Sequence, residues 1–543
     1  MELGRLLPIG NQSFAKIRRI NAVYVDKTDL VWRMTRSQNV CFFARPRRFG
    51  KSLLLNTIKE YFAGRRELFD GLAIQPLQDA ESGENWPKHP VLHLSFARAN
   101  YFEEGAIEKV LEMALTRFER DHGLPNASGQ DYLVRMVLDL EEAQYKLGEE
   151  AVLVIDEYDK PLVDTFTRDK ESEQWKLHES LTRQLRGIYN CLKDMDDTLR
   201  YVFITGITRF SRLGIFSGLN NLEDLTLDPA YASICGITHE ELLSNFRPEL
   251  DRWCREKGVE QAELVKELQM AYDGYRFTSS EVLLYNPFGL LNSLKSCEMN
   301  YYWYLSGARN ALQQIMPGVL VNWEDLEQPK LLAPGSMAQM GLEAKDPAVL
   351  LFQTGYYTVK AYDAERNLYQ VGIPNAEVRF ALYWEVSQQQ DDKLAEQMNM
   401  GLIFNFVRYV RNEDIEGFMG LLKHFLNRSP YAQRDEGEDV KDVKEYIYHS
   451  VTHLLFELMG QYVHSEVPSA KGRTDLELET EGAVYVFEFK TTRVKDALAA
   501  AMEQIASREY AERHVGGGKR VFAVGVVFGH DGVAEWSVEE VRG

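Results

Sequence analysis

Little in this sequence points to an oxidising or a membrane environment. Its 543 residues hold five cysteines. They are Cys41, Cys191, Cys235, Cys254 and Cys297, scattered and without a Cys-x-x-Cys pair. That spacing excludes the common cysteine-rich zinc sites and a disulfide framework, and it fits a reducing cytoplasm, the expected location. No apolar run approaches the ~18 residues that a membrane span needs, so no membrane partner is expected. The opening MELGRLLPIGNQSF has no basic stretch leading into an apolar core, so a signal peptide is not expected. Positive charge is scarce: 62 Lys+Arg stand against 82 Asp+Glu, a net charge of −20. Long-range attraction to nucleic acid is unfavourable on that balance. An activity on nucleic acid therefore needs a local basic surface or bound metal ions. Internal repeats and low-complexity tracts are missing too.

What is present is globular. Hydrophobic residues make up 45% and charged residues 27%, which excludes a disordered, collagenous or coiled-coil chain. The length is too great for one core and suggests roughly three to four domains. Residues 1–235 alternate short apolar runs with helical stretches. VCFFA (40–44), VLHLSF (91–96), AVLVIDEYD (151–159) and YVFITG (201–206) read as strands; 52–64, 103–122 and 130–147 read as helices. Such alternation predicts an α/β fold with a parallel sheet covered on both faces, where ligands collect at the carboxyl ends of strands. Residues 236–425 read as mostly helical and rich in aromatics. A polar stretch at 427–442 looks like a linker, and 443–543 is long enough for one small α/β domain.

The first strand leads into ARPRRFGKSLLLN (44–56). Gly50-Lys51-Ser52 matches the end of the phosphate-loop pattern, in which N–H groups at a helix start wrap phosphates. The lysine neutralises β/γ charge and the hydroxyl ligates magnesium. Taken alone, Gly-Lys-Ser also suits a surface turn. The pattern's first glycine is replaced by Arg45. The run VLVIDEYDK then delivers Asp156 and Glu157 at the end of an apolar strand, the Walker B arrangement: Asp156 would hold magnesium and Glu157 would polarise the attacking water. In YVFITGITRFSR (201–212), Thr205 fits a sensor of the water or γ-phosphate. Arg209 and Arg212 would supply positive charge in cis or from a neighbouring subunit, or else are solvated loop arginines. Arg45, Arg47 and Arg48 either touch phosphates or nucleic acid, or lie on the surface.

These residues resemble a known group. Tyr24-Val25-Asp26-Lys27-Thr28, RPRRFGKS (45–52), Ile155-Asp156-Glu157-Tyr158-Asp159 and Ile215 to Leu222 are similar to the bacterial AAA-ATPase-like family, which often carries a carboxy-terminal nuclease domain. The resemblance implies a P-loop (ASCE/AAA-like) ATPase over 1–235 and a lid or winged-helix-like region over 236–425. It implies ATP and Mg²⁺ as ligands, with Arg47, Arg48, Phe49, Gly50, Lys51, Ser52, Asp156, Thr205 and Arg209 around the nucleotide. Asp26-Lys27-Thr28 has no chemistry to assign and suits a packing or capping role. The aromatics of 272–277 and 301–305 suit a core better than a base-stacking platform.

The last module holds GRTDLELETEGAVYVFEFKTT (472–492). Asp475 to Glu479 alternates as a strand with one wet face does. If Glu481-Gly482 is a two-residue hairpin turn, Thr480 pairs with Ala483 and Asp475 falls opposite Glu488. Lys490 then shares their face. Paired carboxylates attract a hard cation, and magnesium prefers oxygen ligands; such an ion lowers the pKa of a bound water and stabilises phosphate charge. The alternative is an edge hairpin with a salt bridge from Lys490.

Asp475, Glu488 and Lys490 resemble the PD-(D/E)XK nuclease superfamily motif, over roughly 443–530. Thr474 stands where that motif has proline. The resemblance implies catalysis by Asp475, Glu488 and Lys490 with Mg²⁺ or Mn²⁺, and suggests Glu445 as a further metal ligand. Gln504 and Tyr510 are similar to a Gln…Tyr element of some branches. Glu466 and His449 suit surface and structural roles, and Gly516 to Lys519 suits a turn rather than a second phosphate loop. Together these readings predict an ATP-dependent nuclease acting on nucleic acid, with DNA the expected polymer, defence against foreign DNA the expected role and a homo-oligomer compatible with it. The alternative is a nucleotide-dependent switch or scaffold whose last domain binds a partner without cleaving.

Overall fold

The apolar runs of the first half become one sheet. In the computed structural model, β1 (Val40–Ala44), β2 (Val91–Ser95), β3 (Ala151–Asp156), β4 (Leu199–Gly206) and β5 (Leu222–Asp224) lie in the order β2-β3-β4-β1-β5. Every neighbouring pair is parallel. β1 and β3 are buried at every residue, which is why they read as unbroken apolar runs rather than alternating ones. Helix Lys51–Phe62 buries Leu54, Leu55, Ile58, Tyr61 and Phe62, one stripe at helical spacing. Strand β5 has three residues, Leu-Glu-Asp, too few to carry a pattern; its pairing of Val40 with Leu222 holds it in place. The structure describes all residues except 1–4, 84, 209–214, 217–218, 220, 309–325, 327, 340–345, 391–404, 407, 411, 429–451, 453–462, 466–467, 470–471, 474, 481, 509–510, 512–513, 515–517, 530–531 and 542–543.

Contacts divide the chain into two units, Met1–Glu377 and Val378–Gly543. The expected middle region is thus shared between them. Its part up to Glu377 lies in the first unit because its aromatics back the phosphate loop: the Phe49 ring sits 4.7 Å from Tyr275 and 5.1 Å from Phe277. Helices Arg247–Lys257, Gln261–Tyr272 and Pro287–Ser296 form a core around Trp253. A three-stranded antiparallel sheet follows, β6 (Lys330–Leu332), β7 (Thr358–Asp363) and β8 (Leu368–Gly372), in the order β6-β8-β7. Asp26-Lys27-Thr28 is a clamp. Asp26 accepts from the Thr28 and Ala73 amides, and Lys27 pairs with Glu241 at 2.7 Å.

The second unit holds β9 (Val463–Ser465), the short pair β10 (Pro468–Ser469) and β11 (Gly472–Arg473), β12 (Leu476–Glu479), β13 (Ala483–Thr491), β14 (Arg520–Gly529) and β15 (Gly532–Glu540). Five of them form a sheet ordered β15-β14-β13-β12-β9. β13 and β14 are parallel, joined through helix Ala497–Ser507, as a parallel pair requires. Ile505 of that helix packs on Val484, Val486, Val521 and Ala523. On the other side Phe418, from helix Ile415–Arg428, meets Phe487. The wet face expected for this hairpin is therefore reduced to the partly exposed Asp475 and Glu479, and the edge position is absent: β13 lies inside the sheet. Glu477 and Glu488 are 3% and 1% exposed. No described helix is long and apolar enough to cross a membrane.

Candidate active sites

The phosphate loop runs from the end of β1 to the start of helix Lys51–Phe62. Gly50 holds φ 96 there, a left-handed backbone that suits glycine. The loop is anchored from behind. Arg45 is 2% exposed; its guanidinium donates to the Thr226 carbonyl at 2.7 Å and lies over the rings of Phe43 and Phe277. It is neither a surface residue nor one lining the phosphate pocket, because the core takes its charge up through a carbonyl and two aromatic faces. Gly355 packs so closely on Pro46 that a Cβ there would come within 2.5 Å of the proline. The Trp303 indole donates to the Arg47 carbonyl at 3.2 Å, while its backbone N–H donates to buried Glu377 at 2.7 Å.

On the front of the loop, Lys51 is 7% exposed and its Nζ donates to the Pro46 carbonyl at 3.0 Å. Burial lowers the Lys51 ammonium from its ordinary value, against the pull of Glu157, Asp159 and Asp156. Strand β4 separates β1 from β3, so the lysine and the β3 carboxylates face each other across one intervening strand. The Ser52 hydroxyl faces the Asp156 carboxylate closely enough to oppose the effect of burial there. Asp156 Oδ1 is buried without a hydrogen-bond partner among the described residues. Burial raises both Asp156 and Glu157 above the ordinary carboxylate value, and the Asp156 charge adds to the rise at Glu157. A hydroxyl facing a buried carboxylate with an unused oxygen suits a divalent cation with oxygen ligands.

These groups border a cavity of about 360 Å³, within the range of small-molecule sites. Gly50, Lys51, Ser52 and Glu157 line it, with Arg47 and Arg48. Glu157 and Arg48 are non-glycine residues in the left-handed region, at φ 49 and 71, the kind of backbone cost that concentrates at functional sites.

Not every expected residue reaches this cavity. Thr205 is fully buried and its hydroxyl donates to the Phe43 carbonyl of β1 at 2.7 Å, so it staples two strands. The Phe49 ring turns into the core, leaving only its backbone beside the loop. Arg209, with Arg212, lies outside the described residues, as do Glu445, His449, Glu466 and Tyr510. Other groups at the site were not anticipated. Asp159 accepts from the Ile207 amide and from the amide and hydroxyl of Thr208, fixing the chain beyond β4. The stretch Pro8 to Gln12 and the residues Pro287, Phe288 and Leu291 also line the cavity. Their only signal in the sequence was proline- and glycine-marked turns next to helix starts.

In the second unit the register pairs Leu476 with Phe487 and Glu479 with Val484, and its continuation sets Asp475 opposite Glu488. Asp475 Oδ2 accepts from the Phe489 amide at 2.8 Å. Lys490 Nζ donates to Glu488 Oε1 at 2.8 Å, and Glu488 Oε2 is buried without a hydrogen-bond partner among the described residues. Burial raises Glu488 and Asp475 adds to the rise, while the cations of Lys490 and Arg508 oppose it. The three residues thus share one face. Glu477 and Glu479 continue it, against His514 at 3.1 Å and Lys519 at 2.9 Å. Among the described residues no group of three or more His, Cys, Asp or Glu side chains is placed to hold a metal ion; the two candidate positions are pairs, Ser52 with Asp156 and Asp475 with Glu488.

Two family models match the chain. One, described as a predicted AAA-ATPase, matches residues 8–216. The other, described as the PD-(D/E)XK nuclease superfamily, matches residues 443–535. An uncharacterized protein in the vnfD 5′ region of Azotobacter chroococcum mcd 1 is 30% identical over 534 residues, 97% of this chain and 96% of that protein.

Proposed function

The chain belongs to the AAA-ATPase-like family and carries a carboxy-terminal PD-(D/E)XK nuclease superfamily domain, and from that premise we propose that it binds and hydrolyses ATP in its first unit and cleaves DNA in its second. The observation that carries the reading is the cavity in which Lys51, Ser52 and Glu157 meet beside the unpaired oxygen of Asp156. The first amides of helix Lys51–Phe62 receive the phosphates. Lys51 leaves the Pro46 carbonyl to neutralise the β- and γ-phosphate oxygens. Ser52 and Asp156 would hold Mg²⁺, which would supply charge neutralisation at the phosphates. Glu157 orients a water toward the γ-phosphorus and accepts its proton, a task that its raised pKa suits.

In the second unit Asp475 and Glu488 would hold Mg²⁺ or Mn²⁺, which would lower the pKa of a water and stabilise the phosphate charge. Lys490 gives up its pairing with Glu488 to neutralise the scissile phosphate or position the water. The water oxygen forms the new bond to phosphorus and gives its proton to solvent, while the ester P–O bond breaks and the leaving oxygen takes a proton from solvent. The nucleotide state gates this cleavage, the protein works in the cytoplasm as a homo-oligomer, and its role is defence against foreign DNA. The test is full-length protein with ATP and Mg²⁺ or Mn²⁺ on single- and double-stranded DNA and RNA. Metal-dependent DNA cleavage that ATP modulates is expected. Intact DNA and RNA alongside retained ATP turnover would favour instead a nucleotide-dependent switch that only binds a partner.

A further inference from the structure

Two consecutive residues of the phosphate loop are tied to a turn that takes no part in the chemistry above. The Trp303 indole N–H donates to the Arg47 carbonyl at 3.2 Å. The Arg48 guanidinium donates to the Ser306 hydroxyl at 3.2 Å and to the Ser306 carbonyl at 3.0 Å. The Ser306 hydroxyl donates to the Trp303 carbonyl at 2.7 Å, which closes the turn on itself. Tyr304–Ala308 is a π-helical turn, a rare form that concentrates at functional sites. Ahead of it the Tyr272 hydroxyl donates to the Asn300 carbonyl and accepts from the Asn300 amide, so the chain is pinned where it enters the turn. Trp303 is fully buried, and its backbone N–H donates to Glu377 at 2.7 Å. Glu377 is 3% exposed and stands in the first turn of helix Ala376–Gln390. Gly289 comes so near that a Cβ there would lie 3.1 Å from the Glu377 carboxyl. The helix begins in the first unit and ends in the second, since the boundary falls between Glu377 and Val378. Hydrogen bonds thus lead without a break from Arg47 and Arg48, through the Trp303–Ser306 turn, to the start of the helix that carries the chain into the second unit.

Resting on the reading that nucleotide state gates the second unit, we infer that the Trp303–Ser306 turn is the relay of that gate, with Trp303 and Glu377 as its positioning residues. The relay has two states because Arg48 has two partners. In one it holds Ser306; in the other it turns to the phosphate charge in the cavity, which Arg48 and Ser306 both border. A ligand shifts an equilibrium only through a contact that differs between the two states, and the Arg48 guanidinium makes such a contact. Arg48 also holds a costly left-handed backbone at φ 71, which a change of partner can relax. Once Ser306 is released, the turn hangs on the loop through the Trp303 indole. In a close-packed interior a displaced Trp303 cannot leave Glu377 where it was, so the first turn of helix Ala376–Gln390 moves with it.

Hydrogen exchange of the full chain, with and without a saturating non-hydrolysable ATP analogue and Mg²⁺, reads the relay. In the wild type the analogue is expected to change exchange at Tyr304–Ala308 and in helix Ala376–Gln390. Trp303→Phe keeps a ring and removes the indole donor. It is expected to abolish the change in helix Ala376–Gln390 while analogue affinity and ATP turnover stay at wild-type values, a separation that a loss of packing alone does not give. Ser306→Ala, at a partly buried position, is the second variant; it is expected to shrink the same response at an unchanged melting temperature. Both variants are expected to lose the dependence of DNA cleavage on ATP. A wild type that binds the analogue with no change in helix Ala376–Gln390 overturns the relay alone. So does a full response in Trp303→Phe or, should that variant fold poorly, in Ser306→Ala. An intact relay in wild-type protein whose cleavage ignores ATP overturns the gating instead. Wild-type protein that does not bind the analogue overturns the ATPase reading and the relay with it.

Discussion

The two candidate sites use the same device in different surroundings. In each, a buried strand carries a carboxylate with one oxygen unpaired, Asp156 Oδ1 at the end of β3 and Glu488 Oε2 within β13, with a lysine close by. In the first unit that lysine rests on a backbone carbonyl and borders a cavity. In the second, the lysine is already bonded to the carboxylate that would hold the metal ion. A lysine parked on a carbonyl can turn to an arriving phosphate at little cost. A lysine parked on its own carboxylate exchanges one counter-charge for another, so a cation must arrive as the lysine leaves. Under the proposed function, the contrast would fit the first site to an enclosed small anion and the second to a step that waits for a cation.

Four substitutions break or sharpen that contrast. Glu157→Gln should lower ATP turnover by ~10²–10⁴-fold, the usual worth of a general base, while ATP affinity and the melting temperature hold; phosphate release and equilibrium binding measure it. Lys490→Ala should lower DNA cleavage by ~10²–10³-fold and leave ATP turnover unchanged. A comparable drop in both activities from either change would mean that the two sites do not act separately. Glu377→Gln probes the backing of the phosphate loop, which has no counterpart described behind Lys490. Burial pushes the Glu377 carboxyl up to about 8, so the fold prefers its uncharged form. Its contribution to stability is present below the ordinary carboxylate value and is lost as pH rises through about 8. Between pH 5 and pH 8.5 the wild type should lose ~3–4 kcal/mol that the Gln variant keeps, read from denaturant midpoints at the two pH values. The smallest effect is expected for Lys519→Ala. It removes a partly exposed pairing with Glu479 and should cost under ~1 kcal/mol without slowing cleavage.

Much of this was legible in the sequence. Apolar runs located four strands of the first sheet within two or three residues; β1 and β3, buried at every residue, have no polar positions to blur them, while β2 buries only Leu92 and Leu94. The hairpin register was legible from its two-residue turn, since one slip would have moved every side chain to the opposite face. What remained hidden depends on neighbours distant in the chain. The Thr205 hydroxyl serves Phe43, 162 residues away, and only the strand order makes them adjacent. Asp475 to Glu479 alternates as a half-exposed strand would, yet helices 497–507 and 415–428 cover both sides of the sheet. The cavity wall at Pro8 to Gln12 has no chemical signature of its own and belongs to the site only through folding.

The burial of Arg45 and Phe49 has a consequence for how the protein is made. The loop that would grip ATP takes its shape from Thr226 and from two aromatics at 275 and 277. A nascent chain still short of Phe277 lacks one of the two rings under that guanidinium and one of the two that Phe49 packs on. If ATP binds as proposed, it would meet a fully backed loop only once about half of the polypeptide has been made.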